Sequence, residues 1–317
     1  MKNILITGGA GFIGYFLAKK LSGKYNVDIV DDFSRGKKDS EFLKLIKNKK
    51  IKFYNKNLLE KLTIRKKYVF IFHLAAIVGV KNVMGQPGKV LMNNVILLRN
   101  AINFAKKQSS LKKFFFFSTS EVYAGSIKNR LIKFPTPENQ LICLPPLLEK
   151  RSTYLLSKIY GESICIHSGL PYVIVRPHNI FGPRMGMSHV IPEMAIRALS
   201  SSKVFKVYNS KHKRTFCYID DFIDAISLLM KKKRSTNCIY NIGNPDEEIS
   251  ILNLSKKILK FYKKSKKIDE INIDNSSPSR RVPDITMIKK HTSFGPKISF
   301  GEGLSRTLLW YKKETLK

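Results

Sequence analysis

A strand, a glycine-rich turn and a helix open the chain, and few folds accommodate that succession. The apolar run Ile4-Leu5-Ile6 reads as a buried parallel strand, and the apolar residues Phe12, Ile13, Phe16, Leu17 and Leu21 recur at helical spacing. Between them lies Thr7-Gly8-Gly9-Ala10-Gly11-Phe12-Ile13-Gly14. Gly8, Gly11 and Gly14 permit a tight turn, close approach of backbone to a pyrophosphate, and close packing of helix on strand, with phosphates at the positive helix N-terminus. The spacing is GxxGxxG rather than GxGxxG. Glycine turns also serve as plain connections, so the flanking strand and helix are what point to a dinucleotide.

The second strand supports this reading. Val27-Asp28-Ile29-Val30 ends in Asp31, and an acidic residue about 20 positions beyond the glycine turn is where a carboxylate accepts hydrogen bonds from an adenosine ribose. Asp31 thus favours NAD over NADP. Arg35 is the opposing signal, since an arginine can pair with a 2′-phosphate, but the Asp31 carboxylate would repel that phosphate. Asp32 lies one residue further from the strand.

Length and composition narrow the function class. At 317 residues the chain has room for one large or two modest domains. No uncharged run reaches membrane-spanning length, and Met1-Lys2-Asn3 leads straight into a strand, so no membrane insertion and a cytoplasmic location are expected. Cys143, Cys165, Cys217 and Cys238 lack CxxC spacing and the six histidines lack paired spacing, which gives a disulfide framework or a metal site little support. The net charge of +35 is the oddest global feature. Clusters such as Lys231-Lys232-Lys233-Arg234 could neutralise nucleic-acid phosphates, but the lysines are spread over the whole chain without an aromatic-interleaved RNA motif. The expectation is solvated lysine faces and no specific nucleic-acid partner.

Strands and helices keep alternating. Ile51-Lys52-Phe53-Tyr54 and Val69-Phe70-Ile71-Phe72-His73 read as further strands, a helix covers Val90 to about Lys107, and Phe114-Phe115-Phe116-Phe117 is a buried strand. Ser118-Thr119-Ser120-Glu121-Val122-Tyr123 then gathers polar residues at a strand's carboxyl end, where open α/β sheets bind ligands. Leu74, Ala75 and Ala76 lie where backbone could approach a cofactor. A helix from about Thr153 to His167 and a strand at Tyr172 to Arg176 follow. The chain is expected to form an α/β, Rossmann-type doubly wound parallel sheet over residues 1–176, with a smaller C-terminal α/β substrate-binding portion over 177–317. Segments around 214–243 are candidates to pack back on the first domain.

A third constellation is Tyr154-Leu155-Leu156-Ser157-Lys158. Residues i and i+4 share a helix face, so Tyr154 and Lys158 can point into one site, where a lysine cation favours the phenolate and equips the tyrosine as a general base. Alone, YxxxK is frequent and usually a surface pair. Here it follows the glycine turn and the Ser/Thr-rich strand end.

At this point the sequence resembles the extended short-chain dehydrogenase/reductases, in particular the NAD-dependent nucleotide-sugar epimerases, dehydratases and decarboxylases. The resemblance covers TGGAGFIG at 7–14, HLAA at 73–76, STSEVY at 118–123, YLLSK at 154–158, RPHNIFGPRM at 176–185, RTFCYIDD at 214–221, YNIGNP at 240–245 and RRVPD at 280–284. It implies that NAD takes hydride from C4 of a nucleotide-diphosphate sugar while Tyr154 removes the C4 hydroxyl proton, leaving a 4-keto intermediate. Lys158 would hold the nicotinamide ribose, and Thr119 would hydrogen-bond the C4 oxygen. Gly8, Gly11, Phe12, Ile13, Gly14, Asp31, Asn57, Leu58, Leu74, Ala75 and Ala76 would contact the cofactor. Asn179 resembles the residue that contacts the sugar-nucleotide phosphates, and Arg214 and Arg281 resemble anionic-substrate ligands, a role for which an arginine fork suits better than lysine.

Glu121 divides the family. A glutamate two residues after the catalytic threonine resembles the UDP-glucuronate decarboxylases and the GDP-mannose-type 4,6-dehydratases, where it assists chemistry at C5 or C6; the other reading is a cap or salt bridge. Ser120 occupies the place of the aspartate in dTDP-glucose 4,6-dehydratases, which disfavours that subclass. Departures from the family pattern are Asn57 for an adenine-binding aspartate, Ala124 for glycine, His178 for phenylalanine and Asn209 for glycine. A packing or substrate-contour role is expected for His178 and His189. Decarboxylation of UDP-glucuronate is the leading named outcome; a nucleotide-sugar 4-dehydrogenase and a non-catalytic NAD-binding sensor are the alternatives. The resemblance also implies a homodimer paired through helices at about 90–107 and 153–167.

Overall fold

The structure, a computed structural model, describes residues 1–273 and 278–315. In chain order it begins β1 (Asn3–Thr7), α1 (Phe12–Leu21), β2 (Asn26–Asp31), α2 (Ser40–Ile46), β3 (Ile51–Asn55), β4 (Phe70–His73), α3 (Val80–Gly85) and α4 (Pro87–Ala105). It continues with β5 (Lys113–Phe117), a 3-10 turn at Ser120–Tyr123, α5 (Ala124–Lys128), α6 (Ser152–Ile166), β6 (Tyr172–Pro177) and β7 (Ile180–Phe181). Next come α7 (Val190–Leu199), β8 (Val204–Tyr208), β9 (Lys213–Thr215), β10 (Cys217–Tyr218) and α8 (Ile219–Lys231). The last elements are β11 (Cys238–Ile242), β12 (Glu248–Ser250), α9 (Ile251–Phe261), β13 (Lys267–Ile271), β14 (Arg280–Arg281), α10 (Thr286–Thr292) and α11 (Phe300–Thr315). The chain divides into two compact units, one of Met1–Val122, Pro146–Arg176 and Ile223–Tyr240, the other of Tyr123–Pro145, Pro177–Phe222 and Asn241 onward.

A seven-stranded sheet in the order β11-β6-β5-β4-β1-β2-β3 organises the first unit, and the pairs from β6 across to β3 are parallel. This is the doubly wound sheet that the strand-helix alternation predicts. The chain starts in the middle with β1, winds outward through β2 and β3, and returns to β4 on β1's other side. The reversal opens a crevice beyond the carboxyl ends of β1 and β4, where ligands bind in such sheets. Strands covered on both faces have no solvent side to supply polar residues, which is why β5 tolerates four consecutive phenylalanines, all buried. Phe115 stacks on Phe72 of β4 with ring centroids 4.7 Å apart.

The second unit is built from small sheets. β9 lies between antiparallel β12 and parallel β14, β8 pairs with β13, and β7 with β10. Rings of Phe181, Phe216, Tyr218 and Phe300 form its centre. A Cβ at Gly303 of α11 would come 2.7 Å from the Tyr218 ring, so the absent side chain is what lets the helix settle there. Asn209, where the resemblance leads one to expect glycine, has φ of +51°, a conformation asparagine adopts more readily than most residues. Among the described residues no helix is long and apolar enough to cross a membrane.

Lys113 is the first residue of β5. It is 5% exposed, and its Nζ donates to Leu229 O (2.7 Å), Lys232 O (2.6 Å) and Ser235 Oγ (2.6 Å), closing the carboxyl end of α8 against β5. A cation suits the negative end of the helix. Lys113→Met removes the donor and leaves the single hydroxyl of Ser235, 2.7 Å from both Leu229 O and Lys232 O, to serve two buried carbonyls; chemical denaturation should show a loss of about 2 kcal/mol of stability.

Candidate active site

The glycine turn is shaped by what stands next to it. Gly8 has φ of +72°, and a Cβ there would lie 2.7 Å from the Ala75 backbone nitrogen. A Cβ at Gly14 would collide with the Gly8 carbonyl and Gly9 Cα, so helix and turn touch backbone to backbone. Gly11 is the N-cap of α1, whose first turn, beginning Phe12-Ile13, carries no acidic residue to offset the positive helix end. Leu74 N–H donates to Thr7 O at 3.1 Å and Ala75 N–H to Thr7 Oγ1 at 3.4 Å, which holds the half-buried Leu74-Ala75-Ala76 segment beside the turn.

Asp31 does more than end β2. Its buried carboxylate accepts from Ala10 N–H at 3.0 Å and Phe33 N–H at 2.8 Å, fastening the glycine turn to the second strand. Asn57 is exposed, and its Oδ1 accepts from Leu59 N–H at 2.9 Å, forming an Asx turn. Leu58 sends its side chain into the core, and its carbonyl accepts from Asn100 Nδ2 at 2.8 Å.

The polar residues after β5 face the helix α6. Thr119 Oγ1 accepts from Glu121 N–H at 3.2 Å. One turn apart on α6, Tyr154 and Lys158 share a face as their spacing predicts, with Lys158 Nζ 6.0 Å from the Tyr154 ring centroid. Lys158 Nζ donates to Phe117 O at 2.8 Å. Burial pulls the Lys158 ammonium down to about 8; Cys165 and Glu162 oppose that pull, and the Arg35 cation adds to it. His73 lies nearby in the sheet, bonded to Thr7 Oγ1 at 2.9 Å and driven down to about 3 by burial and by Lys158, so it is neutral near pH 7.

Behind this face lies a network not anticipated from sequence. Glu162, one turn beyond Lys158, receives Arg176 Nε at 2.9 Å on Oε1 and Arg176 NH2 at 2.6 Å on Oε2, while Ser118 Oγ donates to Oε1 at 2.5 Å. All three residues are buried. Asn94 of α4 adds a second brace: its Nδ2 donates to Ser157 Oγ at 3.1 Å, and its Oδ1 accepts from Ile77 N–H at 2.7 Å. At the open side, Arg151 NH2 stands 3.7 Å from Glu121 Oε1. Arg151, Tyr154, Lys158 and Glu162 recur at helical three- and four-residue spacing, a stripe that was available in the sequence.

The second unit gathers the three residues expected to meet an anion. Arg214 on β9 and Arg281 on β14 are register partners across a parallel pair. Asn179, at φ of +44°, donates from Nδ2 to Thr215 O at 2.8 Å, next to Arg214. Arg214 is 7% exposed and gives NH1 to Lys213 O (2.8 Å) and Ser279 O (3.1 Å) and NH2 to Pro278 O (2.5 Å), so it secures the segment that leads to Arg281. His178 is buried and meets Asn241 Oδ1 at 3.1 Å, an oxygen that also accepts from Tyr123 OH at 3.0 Å.

Residues 4–243 match the model of the NAD dependent epimerase/dehydratase family. The chain belongs to this family. It is 33% identical to a UDP-N-acetyl-alpha-D-glucosaminuronate decarboxylase of Bacillus cytotoxicus over 98% of each chain. It is 30% identical to UDP-glucuronic acid decarboxylase 1 of Xenopus tropicalis, over 99% of this chain and 73% of that one. The crystal structure of UDP-glucuronic acid 4-epimerase from Bacillus cereus, in complex with UDP-glucuronic acid and NAD, superposes with a TM-score of 0.86 at 25% identity, covering 98% of this chain and 99% of that chain. The protein is therefore an NAD-dependent enzyme of the nucleotide-sugar epimerase, dehydratase and decarboxylase type. Its residues fit the family's cofactor: side chains at Gly8 and Gly14 would obstruct the turn, the start of α1 is free of acidic residues, and Asp31 closes the second strand.

The buried ion pair gives a sharp expectation. Glu162→Gln leaves the Arg176 cation buried without its counter-charge, and equilibrium unfolding should show about 3–5 kcal/mol lost. Ser118→Ala removes one hydrogen bond and should cost about 1 kcal/mol.

Proposed function

We propose that the enzyme decarboxylates a UDP-linked hexuronate through a 4-keto sugar. The observation that carries this reading is Glu121, a carboxylate on the turn directly after Thr119, ion-paired to Arg151 on the helix of Tyr154. Turning over and reducing a 4-keto sugar needs no such further acid or base. The similarity to two decarboxylases supports the same choice.

In this reading Tyr154, as phenolate, takes the C4 hydroxyl proton, Lys158 favours the ionised phenol, and Thr119 donates to the C4 oxygen. NAD, held at the glycine turn and by Lys158, would supply hydride exchange at C4. With C4 oxidised, the C6 carboxylate belongs to a β-keto acid: the C5–C6 bond breaks, its electron pair passes to the C4 oxygen as an enolate, and carbon dioxide leaves. C5 then takes a proton that originates in water, with Glu121 as the relay. Asn179 and Arg281 hold the diphosphate, with Arg214 fixing the segment ahead of Arg281. A homodimer formed through α4 and α6 accounts for the exposed Met92 and Tyr160 on those helices; gel filtration coupled to light scattering tests it.

Product mass after incubation with UDP-glucuronate and catalytic NAD⁺ is the test. Loss of carbon dioxide supports the reading, and an intact hexuronate epimerised at C4 overturns it in favour of an epimerase. Tyr154→Phe should lower kcat by about a thousandfold or more while the protein still binds NAD. The pH profile has a definite sign. The Lys158 ammonium is lost as pH rises through about 8, so kcat/KM should fall on that alkaline limb, and Lys158→Arg, charged at every accessible pH, should move the limb upward.

A further inference from the structure

Arg35 is a cation that the reaction above leaves without a role, on a loop whose two ends are both fastened. Before it, Phe33 turns the chain at φ of +56° and packs its ring against Phe42 and Phe53, with centroids 5.5 and 5.1 Å away. After it, Lys37 N–H donates to Ala10 O at 3.2 Å, and a Cβ on Gly36 would come 2.6 Å from Ala10 Cβ. One flank of Arg35 is thus anchored in the core and the other on the glycine turn, beside Gly11 at the start of α1.

The Arg35 side chain is exposed, yet desolvation by the surrounding protein lowers its pKa, an effect that Tyr154 opposes. Accessible surface combined with close protein on several sides describes a side chain lying in a crevice. From the glycine turn its charge acts on Tyr154 and Lys158 of α6, so it reaches along the crevice from the Asp31 end toward the catalytic face. A dinucleotide with its adenosine ribose at Asp31 and its nicotinamide ribose at Lys158 has its diphosphate in that middle stretch, at the N-terminus of α1. The helix end supplies only about half a positive charge against the two negative charges of the diphosphate. A guanidinium fork matches paired phosphate oxygens in geometry and supplies the missing charge. The 2′-phosphate of NADP suits Arg35 less well, because it would stand against the Asp31 carboxylate.

We propose that Arg35 is a ligand of the cofactor's diphosphate and clamps it against the start of α1. The assignment is independent of what the sugar loses after oxidation at C4.

Calorimetric titration of the full chain with NAD, NADP and ADP-ribose, which keeps the diphosphate and lacks the nicotinamide, tests the proposal. Arg35→Ala removes a charge-assisted contact and should weaken NAD and ADP-ribose alike, by about tenfold or more, with the ratio of NAD to NADP affinity unchanged. Arg35→Gln keeps the length of the side chain without its charge and should behave as Arg35→Ala does, while Arg35→Lys should recover part of the affinity. Raising the salt concentration should weaken NAD less in Arg35→Ala than in the wild-type protein. Lys38→Ala, which removes an exposed cation three residues away, should leave NAD affinity within about twofold and controls for the overall positive charge.

Unchanged binding of NAD and ADP-ribose in Arg35→Ala and Arg35→Gln overturns the proposal. So does weakening of NADP alone, which would assign Arg35 to a 2′-phosphate, and so does an equal loss in Lys38→Ala, which would reduce its effect to bulk charge.

Discussion

One buried carboxylate, Glu162, sets the distances among Thr119, Tyr154 and Lys158. It is held by Arg176 at the end of β6 and by Ser118 at the end of β5, while its own helix carries Lys158 one turn and Tyr154 two turns earlier. Thr119 follows Ser118 directly. The spacing of Thr119, Tyr154 and Lys158 is thereby fixed by a charge pair that has no solvent alternative, because breaking it strands an ion in the interior. Loops could supply the same three residues, but not with the same constancy.

The glycine turn depends on a comparable constraint at the other strands. Gly8 meets the backbone after β4, Gly14 meets Gly8, and Asp31 binds Ala10. Three strand ends thus converge on one short segment, and the crevice at the chain reversal is a consequence of their packing.

The cationic excess has two parts. Some lysines close helix ends: buried Lys113 closes the end of α8, and partly exposed Lys266 gives its Nζ to Arg197 O at 2.9 Å and Ser200 O at 2.7 Å at the end of α7. Most of the net charge of +35 is carried outside such fittings, and a positive surface raises the local concentration of anionic ligands.

Periodicity and glycine spacing were sufficient to read the sheet, the turn at Gly8–Gly14, Asp31 and the Tyr154–Lys158 pair, because these follow from rules that act within a few residues along the chain: alternation, helical repeat and the room a missing side chain leaves. The network of Ser118, Glu162 and Arg176, the turn made by Asn57, the burial of Leu58 and Lys113, and the register of Arg214 with Arg281 obey no local rule. Their partners lie tens of residues away, and a charged residue in a sequence looks the same whether it ends in water or in the interior. The sequence by itself determined the kind of fold and the chemistry it supports; the tertiary structure decided which charges face each other, since that is settled only when distant strands and helices come within a few ångströms.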